Sequence, residues 1–259
     1  MKIKKHITAL ATAAALSATL PAVAQQSQHM TPETMLSLAR VGASALSPDG
    51  KTVVYSVGFP SIKDNKIRTE LFTISSDGSA RRQITQGVAG VHGARWIQQG
   101  RRISYISSES GAPQVWTMAP DGTDRRQVTN IEGGLSDYLF SPDEKQLAYI
   151  KEISFGKSTK EIYPDLPKAT GRIVTDLMYK HWDEWVETIP HIFIAPVGGE
   201  AITGGKDILE GEPYEAPTKP FGGAEELSWS PDGKTLAYSS RKKTGMAYSL
   251  STNTDIYLY

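Results

Sequence analysis

Short apolar runs alternate with tight-turn signals along most of the chain. Three copies of Ser-Pro-Asp-(Gly/Glu)-Lys, beginning at Ser47, Ser141 and Ser230, each precede a run of apolar, β-branched and aromatic residues. Proline presets φ, aspartate bonds to nearby backbone and glycine accepts positive φ, so each copy predicts a turn that leads into a strand. A degenerate copy occupies residues 98–102. The pattern therefore predicts an all-β protein built from hairpins.

A second repeat alternates with the first. A strand-like run, an Asp-Gly turn and an Arg-Arg-Gln-(Ile/Val)-Thr run occur around Asp77 and again around Asp121, which is 44 residues later. Asp143 and Asp232, in the first repeat, are 89 residues apart, about twice that step. Two hairpins in each step make a four-stranded blade, and blades bury their faces by stacking in a β-propeller. This regular spacing favours a propeller over a β-sandwich with scattered turns.

The pattern also indicates where the repeats are interrupted. We expect, in order, a leader, a segment with a short helix, a partial propeller and one long insertion within it: residues 1–24, 25–45, 46–259 and 151–190. Outside the insertion, the length accommodates four to five blades. The strand-like residues 255–259 have no hairpin partner after them, so we expect the sequence to be a truncated one.

The first residues have the pattern of a cleavable export signal. Lysines are followed by an uncharged apolar run, Ile7–Leu20, and by the small-residue pattern Ala22–Ala24 before Gln25. The apolar run is too short to span a bilayer comfortably, which argues against the alternative of an uncleaved membrane anchor. We therefore predict cleavage after Ala24, a periplasmic location and no membrane span.

Composition argues against several classes of protein. The sequence has 28 basic and 28 acidic residues and no cysteine. Loss of the leader lysines leaves a small excess of acidic residues, which argues against a nucleic-acid partner. The lack of cysteine excludes a disulfide framework, a thiolate zinc site and a cysteine nucleophile. The few histidines lack the paired spacing of a helical zinc site, so we expect no metal and no other cofactor.

The sequence offers no nucleophile for hydrolysis. A hydrolase nucleophile elbow requires Gly-x-Ser-x-Gly between a strand and a helix. The two Gly-x-Ser stretches, Gly42–Ser44 and Gly156–Ser158, are followed by Ala45 and Thr159 and lack the second glycine. We therefore expect no catalytic residue in this chain.

The predicted insertion carries candidate binding chemistry. Two tryptophans and three acids lie close together there: Trp182, Asp183, Glu184, Trp185 and Glu187. Tryptophan offers a flat apolar wall, and carboxylates bind ammonium groups such as the free amino terminus of a peptide. We predict that these five residues bind substrate. In the alternative interpretation, the tryptophans anchor a long loop and the acids are solvated.

Several stretches resemble the amino-terminal part of bacterial dipeptidyl-peptidases in the prolyl-oligopeptidase family of serine peptidases. The matching stretches are Leu46–Lys51, Ile131–Gly134, Tyr163–Arg172, Tyr179–Pro190 and Arg241–Tyr248. The turn motif is common to many propellers, whereas the insertion stretches and Arg241–Tyr248 are specific. The resemblance extends over nearly all residues after the leader.

The resemblance implies a propeller followed by an α/β-hydrolase domain that supplies the catalytic serine, aspartate and histidine. That domain is absent from this chain and would be its partner in cis. Enzymes of this kind remove dipeptides from the amino termini of oligopeptides, with a preference in this branch for apolar residues before the cleaved bond. The propeller would act as the substrate gate and binding domain. The competing hypotheses are a free-standing periplasmic interaction module and a non-functional fragment, and the residues do not distinguish a monomer from a homodimer.

Overall fold

The computed structural model describes residues 29–259, so the predicted leader lies outside the described part. The first half of that part contains ten strands: β1 (Arg40–Leu46), β2 (Thr52–Ser61), β3 (Lys66–Ser75), β4 (Arg82–Gln83), β5 (His92–Ile97), β6 (Arg102–Ser107), β7 (Gln114–Met118), β8 (Arg126–Gln127), β9 (Asp137–Phe140) and β10 (Gln146–Ser154). The second half contains seven: β11 (Lys180–His181), β12 (Glu184–Trp185), β13 (Thr188–Pro196), β14 (Lys206–Asp207), β15 (Leu227–Trp229), β16 (Leu236–Ser240) and β17 (Asp255–Leu258). Three short helices accompany them: α1 (Pro32–Ser37), α2 (Thr159–Ile162) and α3 (Gly245–Leu250).

The larger sheets are the blades of a propeller. Blade 1 is β1-β2-β3-β4, blade 2 is β5-β6-β7-β8 and blade 3 is β9-β10-β13-β14, with each strand antiparallel to its neighbours. Blade 4 has three strands, β15-β16-β17. The predicted all-β propeller is confirmed, and the four blades in residues 29–259 fall within the predicted four to five. Helices α2 and α3 were not predicted from the sequence.

Both repeats form the turns that were predicted. The Ser-Pro-Asp copies connect the first and second strands of blades 1, 3 and 4, and the Asp-Gly copies connect the third and fourth strands of blades 1 and 2. The predicted short helix is α1, where the Thr31 hydroxyl accepts a hydrogen bond from the Thr34 amide (3.1 Å). Threonine is one of the residues preferred at this cap position because its oxygen satisfies an otherwise unpaired helical N–H group.

Two boundaries and one strand pairing in the structure differ from the expectation. The first sheet begins at Arg40, before the expected start of the propeller at residue 46, because β1 pairs with β2 over Arg40–Leu46. The excursion between β10 and β13 is residues 155–187, narrower than 151–190, because the long ladder of blade 3 includes both ends of the predicted insertion. The final strand, β17, is not unpaired: it is the third strand of its blade and pairs with β16 from Asp255 to Leu258.

The core lies between the blades. Along β10, Leu147 and Tyr149 pack toward blade 2, whereas Ala148 and Ile150 pack toward blade 4. A strand that is buried on both faces needs apolar residues at successive positions, which explains its continuous apolar run. Three clusters fill the three interfaces between consecutive blades, and their members include Tyr105, Tyr149 and Leu236.

In blades 1 and 2, the threonine that ends the Arg-Arg-Gln repeat is buried and hydrogen-bonded to the third strand. The Thr129 hydroxyl accepts from the Val115 amide (2.8 Å) and donates to the Gln114 side chain (2.7 Å). In blade 1, Thr85 makes the same two bonds, to the Leu71 amide (2.8 Å) and to the Glu70 carboxylate (2.7 Å). In blades 1 and 2, the repeated threonine therefore fixes the segment after the fourth strand to the third strand.

We predict that Thr129→Val lowers the free energy of unfolding by about 1–3 kcal/mol, because it leaves the buried Val115 amide without a partner and removes one of the two hydrogen bonds that the Gln114 side-chain oxygen accepts. Urea denaturation followed by circular dichroism measures the change. Thr123→Val, the same substitution at an exposed turn of the same blade, is the control and should have a smaller effect. Equal midpoints for the two variants would contradict the role of Thr129.

The aspartates of the Ser-Pro-Asp turns are held in the ionised form. In blade 3, the Asp143 carboxylate accepts from the Ser141 hydroxyl (2.7 Å) and from the Lys145 amide (3.1 Å). These hydrogen bonds hold the pKa of Asp143 below its usual value, with the bond from Ser141 as the largest cause. Because the folded pKa lies below the unfolded one, the turn gains stability at neutral pH, and this contribution is lost as the pH falls through the acidic range.

We predict that Ser141→Ala raises the pKa of Asp143 toward its ordinary value, because the substitution removes the hydroxyl donor. Carbon-detected NMR titration of the carboxyl groups measures it. Asp77, whose pKa is lowered by Ser79 in another blade, serves as the internal reference and should not change. An unchanged pKa at Asp143 would show that the backbone amide alone holds the charge.

Candidate functional site

The candidate residues lie on a small hairpin that projects from blade 3. Strands β11 and β12 pair Lys180 with Trp185 and His181 with Glu184, and the turn between them contains Trp182 and Asp183. Trp182 has a φ of 50°. This left-handed conformation is rare for a bulky side chain and fixes the direction in which the ring leaves the turn. The ladder of this hairpin contains only two residue pairs.

The structure brings three of the five predicted residues together at the tip of the hairpin. Trp182 is 72% exposed, and its ring meets that of Phe221 edge to face, with centroids 5.0 Å apart. Asp183 and Glu184 are also exposed. Within residues 29–259, neither carboxylate forms an ion pair with Lys, Arg or His. The tip therefore combines two solvated negative charges with an aromatic surface, an arrangement suited to an ammonium group next to an apolar side chain.

The other two predicted residues have partners of their own. Glu187 accepts from Arg172 Nε at 3.0 Å. The Trp185 ring lies under two cations, with the Arg172 guanidinium carbon 4.6 Å and the Lys180 ammonium 4.7 Å from its centroid. Trp185 and Glu187 therefore contact other residues of the insertion, although Trp185 is 42% exposed. At the tip, Trp182, Asp183 and Glu184 are exposed as well. Their role in substrate binding stays a prediction.

An open cleft of about 650 Å³ runs through the insertion beside the hairpin. Its walls come from α2, the following coil and β12, and they include Phe155, Ile162, Arg172, Tyr179 and Trp185. Clefts of this size with mixed apolar and charged walls commonly receive small organic or peptide ligands. Arg172, Trp185 and Glu187 line this cleft, whereas the tip residues Trp182, Asp183 and Glu184 lie outside it.

Sequence reasoning missed a buried polar cluster behind the hairpin. The Glu215 carboxylate is fully buried and accepts from Tyr248 Oη (2.7 Å), His181 Nε2 (3.0 Å) and Arg241 Nη2 (3.4 Å). Burial, together with the hydrogen bond to Glu215, raises the pKa of Tyr248 above its usual range. His181, Arg241 and Tyr248 all belong to the specific stretches named above, which was the available signal. Glu215 itself lies in a stretch that no motif marked.

The described residues lack two features. Among residues 29–259, no helix is long and apolar enough to cross a membrane. Within the same part, no group of three or more His, Asp or Glu side chains is arranged to hold a metal ion.

Comparison with known proteins identifies the relatives. No family model matches the chain. Dipeptidyl-peptidase 5 of Porphyromonas gingivalis is 64% identical over 232 residues, which cover 90% of this chain and 34% of that protein. Dipeptidyl-peptidase 5 of Porphyromonas endodontalis is 50% identical over 234 residues, with the same coverage. The chain is a homologue of dipeptidyl-peptidase 5. It spans about a third of the length of these relatives and fits an amino-terminal portion of them.

Solved structures agree on the fold. Uncomplexed acylaminoacyl peptidase of Pyrococcus horikoshii superposes with a TM-score of 0.59 at 13% identity, over 87% of this chain and 32% of that one. The AtxE2 isopeptidase superposes with a TM-score of 0.50 at 16% identity, over 81% of this chain and 36% of that one. At such low identity the similarity concerns the fold alone, and it agrees with the propeller blades described above.

Proposed function

We propose that this chain is the substrate-gating and substrate-binding propeller of a serine-type dipeptidyl-peptidase that removes dipeptides from the amino termini of oligopeptides. The observation that carries the proposal is the 64% identity over 90% of the chain to a protein named dipeptidyl-peptidase 5. The catalytic serine, aspartate and histidine would belong to an α/β-hydrolase domain in the part of the relatives that this chain does not span. Peptide cleavage would proceed there by acyl transfer, with an oxyanion hole for the tetrahedral intermediate.

The outer faces of the first and last blades support a role within a longer protein. Val41 and Leu46 on β1 are 73% and 58% exposed, and Ile256 and Leu258 on β17 are 76% and 73% exposed. These side chains point away from the neighbouring blade, where a further blade of a closed ring would cover them. Exposed apolar surface of this kind usually marks a contact surface.

The hairpin tip supplies the chemistry for selecting an amino terminus. An aminopeptidase-like cut after two residues requires a group that holds the substrate ammonium at a fixed distance from the nucleophile. Asp183 and Glu184 carry accessible negative charges that can accept hydrogen bonds from that ammonium. Trp182 and Phe221 offer an apolar surface for the adjacent side chain. The cleaved bond would then lie where the hydrolase domain meets the propeller.

We also infer that the protein is exported to the periplasm by a signal that is removed after Ala24. The lysines, the uncharged run Ile7–Leu20 and the small residues before Gln25 support this. Amino-terminal sequencing of the protein from a periplasmic fraction should give Gln25 as the first residue. Recovery of the protein with Met1 in the cytoplasmic fraction would contradict export.

The binding site is tested in a fusion in which this chain replaces the matching third of the Porphyromonas gingivalis relative. We predict that Glu184→Gln lowers kcat/KM for a dipeptidyl-aminomethylcoumarin by about tenfold, because a charge-assisted hydrogen bond to the ammonium is lost. Hydrolysis of a small acetate ester, which has no ammonium group to bind, should stay unchanged. Glu200→Gln, at an exposed loop between β13 and β14, is the control.

Two results would contradict these proposals. A folded fusion that hydrolyses the ester but no dipeptidyl substrate would refute the function as a dipeptidyl-peptidase propeller. If single alanine variants of Asp183, Glu184 and Glu187 all have unchanged kinetics, the hairpin is not the amino-terminus site. Among the three, Glu187→Ala should have the smallest effect because Arg172 already neutralises its charge.

A further inference from the structure

The hairpin that carries the candidate site makes few contacts of its own with the propeller. Its strands are two residues long, and an isolated ladder of this size is not stable in water. The backbone adds a bond within the hairpin, from the Val186 amide to the Tyr179 carbonyl (3.0 Å), and one at its base, from the Phe155 amide to the Glu187 carbonyl (3.0 Å). Apolar packing comes from Met178 and Val186, which contact Tyr248 and Ile189 beneath the hairpin. The position of the tip therefore depends on whatever joins this base to the blades.

The Glu215 carboxylate is the polar group that makes this connection. It lies between β14 and β15 and has no exposed side-chain surface. Its three donors come from three separate parts of the chain: His181 from the hairpin, Arg241 from the end of β16 and Tyr248 from α3. The Arg241 guanidinium also stacks on the Tyr248 ring, at 3.6 Å from its centroid. One carboxylate thus links the hairpin to blade 4 and α3.

The backbone of Glu215 is fixed independently of the hairpin. The Glu215 carbonyl accepts a hydrogen bond from the hydroxyl of the buried Ser240 (2.9 Å), the last residue of β16. The next amide, of Ala216, donates to the Pro190 carbonyl of β13 at 2.9 Å. Because blades 3 and 4 both bind the backbone at Glu215, the position of its carboxylate is fixed. His181 attaches the hairpin to this carboxylate.

We propose that Glu215 is a positioning residue that sets, through His181, where Asp183 and Glu184 stand relative to the propeller. The inference rests on the proposed function, because it assigns to that site the buried group that orients it. Glu215 acts only through His181 and does not touch the substrate, since its carboxylate is fully buried. The three donors to Glu215 all come from the specific stretches Tyr179–Pro190 and Arg241–Tyr248.

The test compares Glu215→Gln with a matched control. Glutamine keeps the size of the side chain but replaces one acceptor oxygen with an amide group and removes the charge, so the charge-assisted hydrogen bonds to the carboxylate are lost. Glu212→Gln removes a second carboxylate from the same loop, one that pairs with Lys242 in blade 4 (2.5 Å) and forms no bond with the hairpin. His181→Phe keeps a ring in the hairpin and removes its link to Glu215.

The first readout is hydrogen exchange of the chain itself, measured on peptides that cover residues 179–187. We expect Glu215→Gln and His181→Phe each to accelerate exchange of residues 179–187 by about tenfold, because each removes a buried charge-assisted bond that attaches the hairpin to the blades. The double variant should be no faster than either single one, since both remove the same contact. Exchange in blade 2 should be unchanged, and so should exchange of residues 179–187 in Glu212→Gln.

The second readout is kinetic and uses the fusion described above. Glu215→Gln should raise KM for the dipeptidyl substrate by about tenfold and leave ester hydrolysis unchanged, because a displaced tip weakens binding of the ammonium. Unchanged exchange at residues 179–187 in Glu215→Gln overturns the inference. Accelerated exchange with unchanged KM supports the anchoring by Glu215 and refutes the hairpin as the substrate site. Global unfolding of Glu215→Gln does not prevent the test, because His181→Phe reports on the same contact.

Discussion

A sheet that is apolar on both faces is stable only between two neighbours, and the rest of this structure follows from that constraint. Leu147 and Tyr149 of β10 face one neighbour while Ala148 and Ile150 face the other, so blade 3 cannot be removed without exposing two cores. Polar contacts reinforce the same stacking. The indole of Trp96 in blade 2 donates to the Ala45 carbonyl of blade 1 (3.0 Å). Consecutive packing of this kind yields a rigid scaffold from which a long excursion can leave.

The rigidity of the blades explains how a small hairpin can serve as a site. A two-residue ladder has little stability of its own, and its tip residues are exposed. The excursion leaves from β10 and returns to β13, the two strands with the longest ladder of blade 3. Glu215, held by Ser240 and by the backbone of blade 3, then supplies a fixed polar anchor at the base. In the proposed function, the binding residues would therefore lie on an exposed hairpin that the packed blades support.

Local rules in the sequence were sufficient for the blades. The Ser-Pro-Asp and Asp-Gly turns are set by residues next to each other, and the apolar runs report burial on one or both faces. The hairpins and a range of four to five blades could therefore be predicted. The ends of the strands were harder to predict. The ladder of β10 and β13 extends beyond the repeat into both ends of the predicted insertion. The candidate tip was visible as a cluster of acids and tryptophans. The anchor was not, because Glu215 is 34 residues from His181 and 33 from Tyr248, and such contacts leave no local pattern.

The central claim is that this chain is the propeller portion of a longer peptidase, and the intact mass of the native protein tests it most directly. The chain has a mass of 28.2 kDa and spans 34% of the Porphyromonas gingivalis relative. Because 232 of the 259 residues cover that 34%, mass spectrometry of the native protein from its source should give a value about two and a half times that of the chain. A native mass at or below 28.2 kDa would contradict the account, because no hydrolase domain would then accompany the propeller.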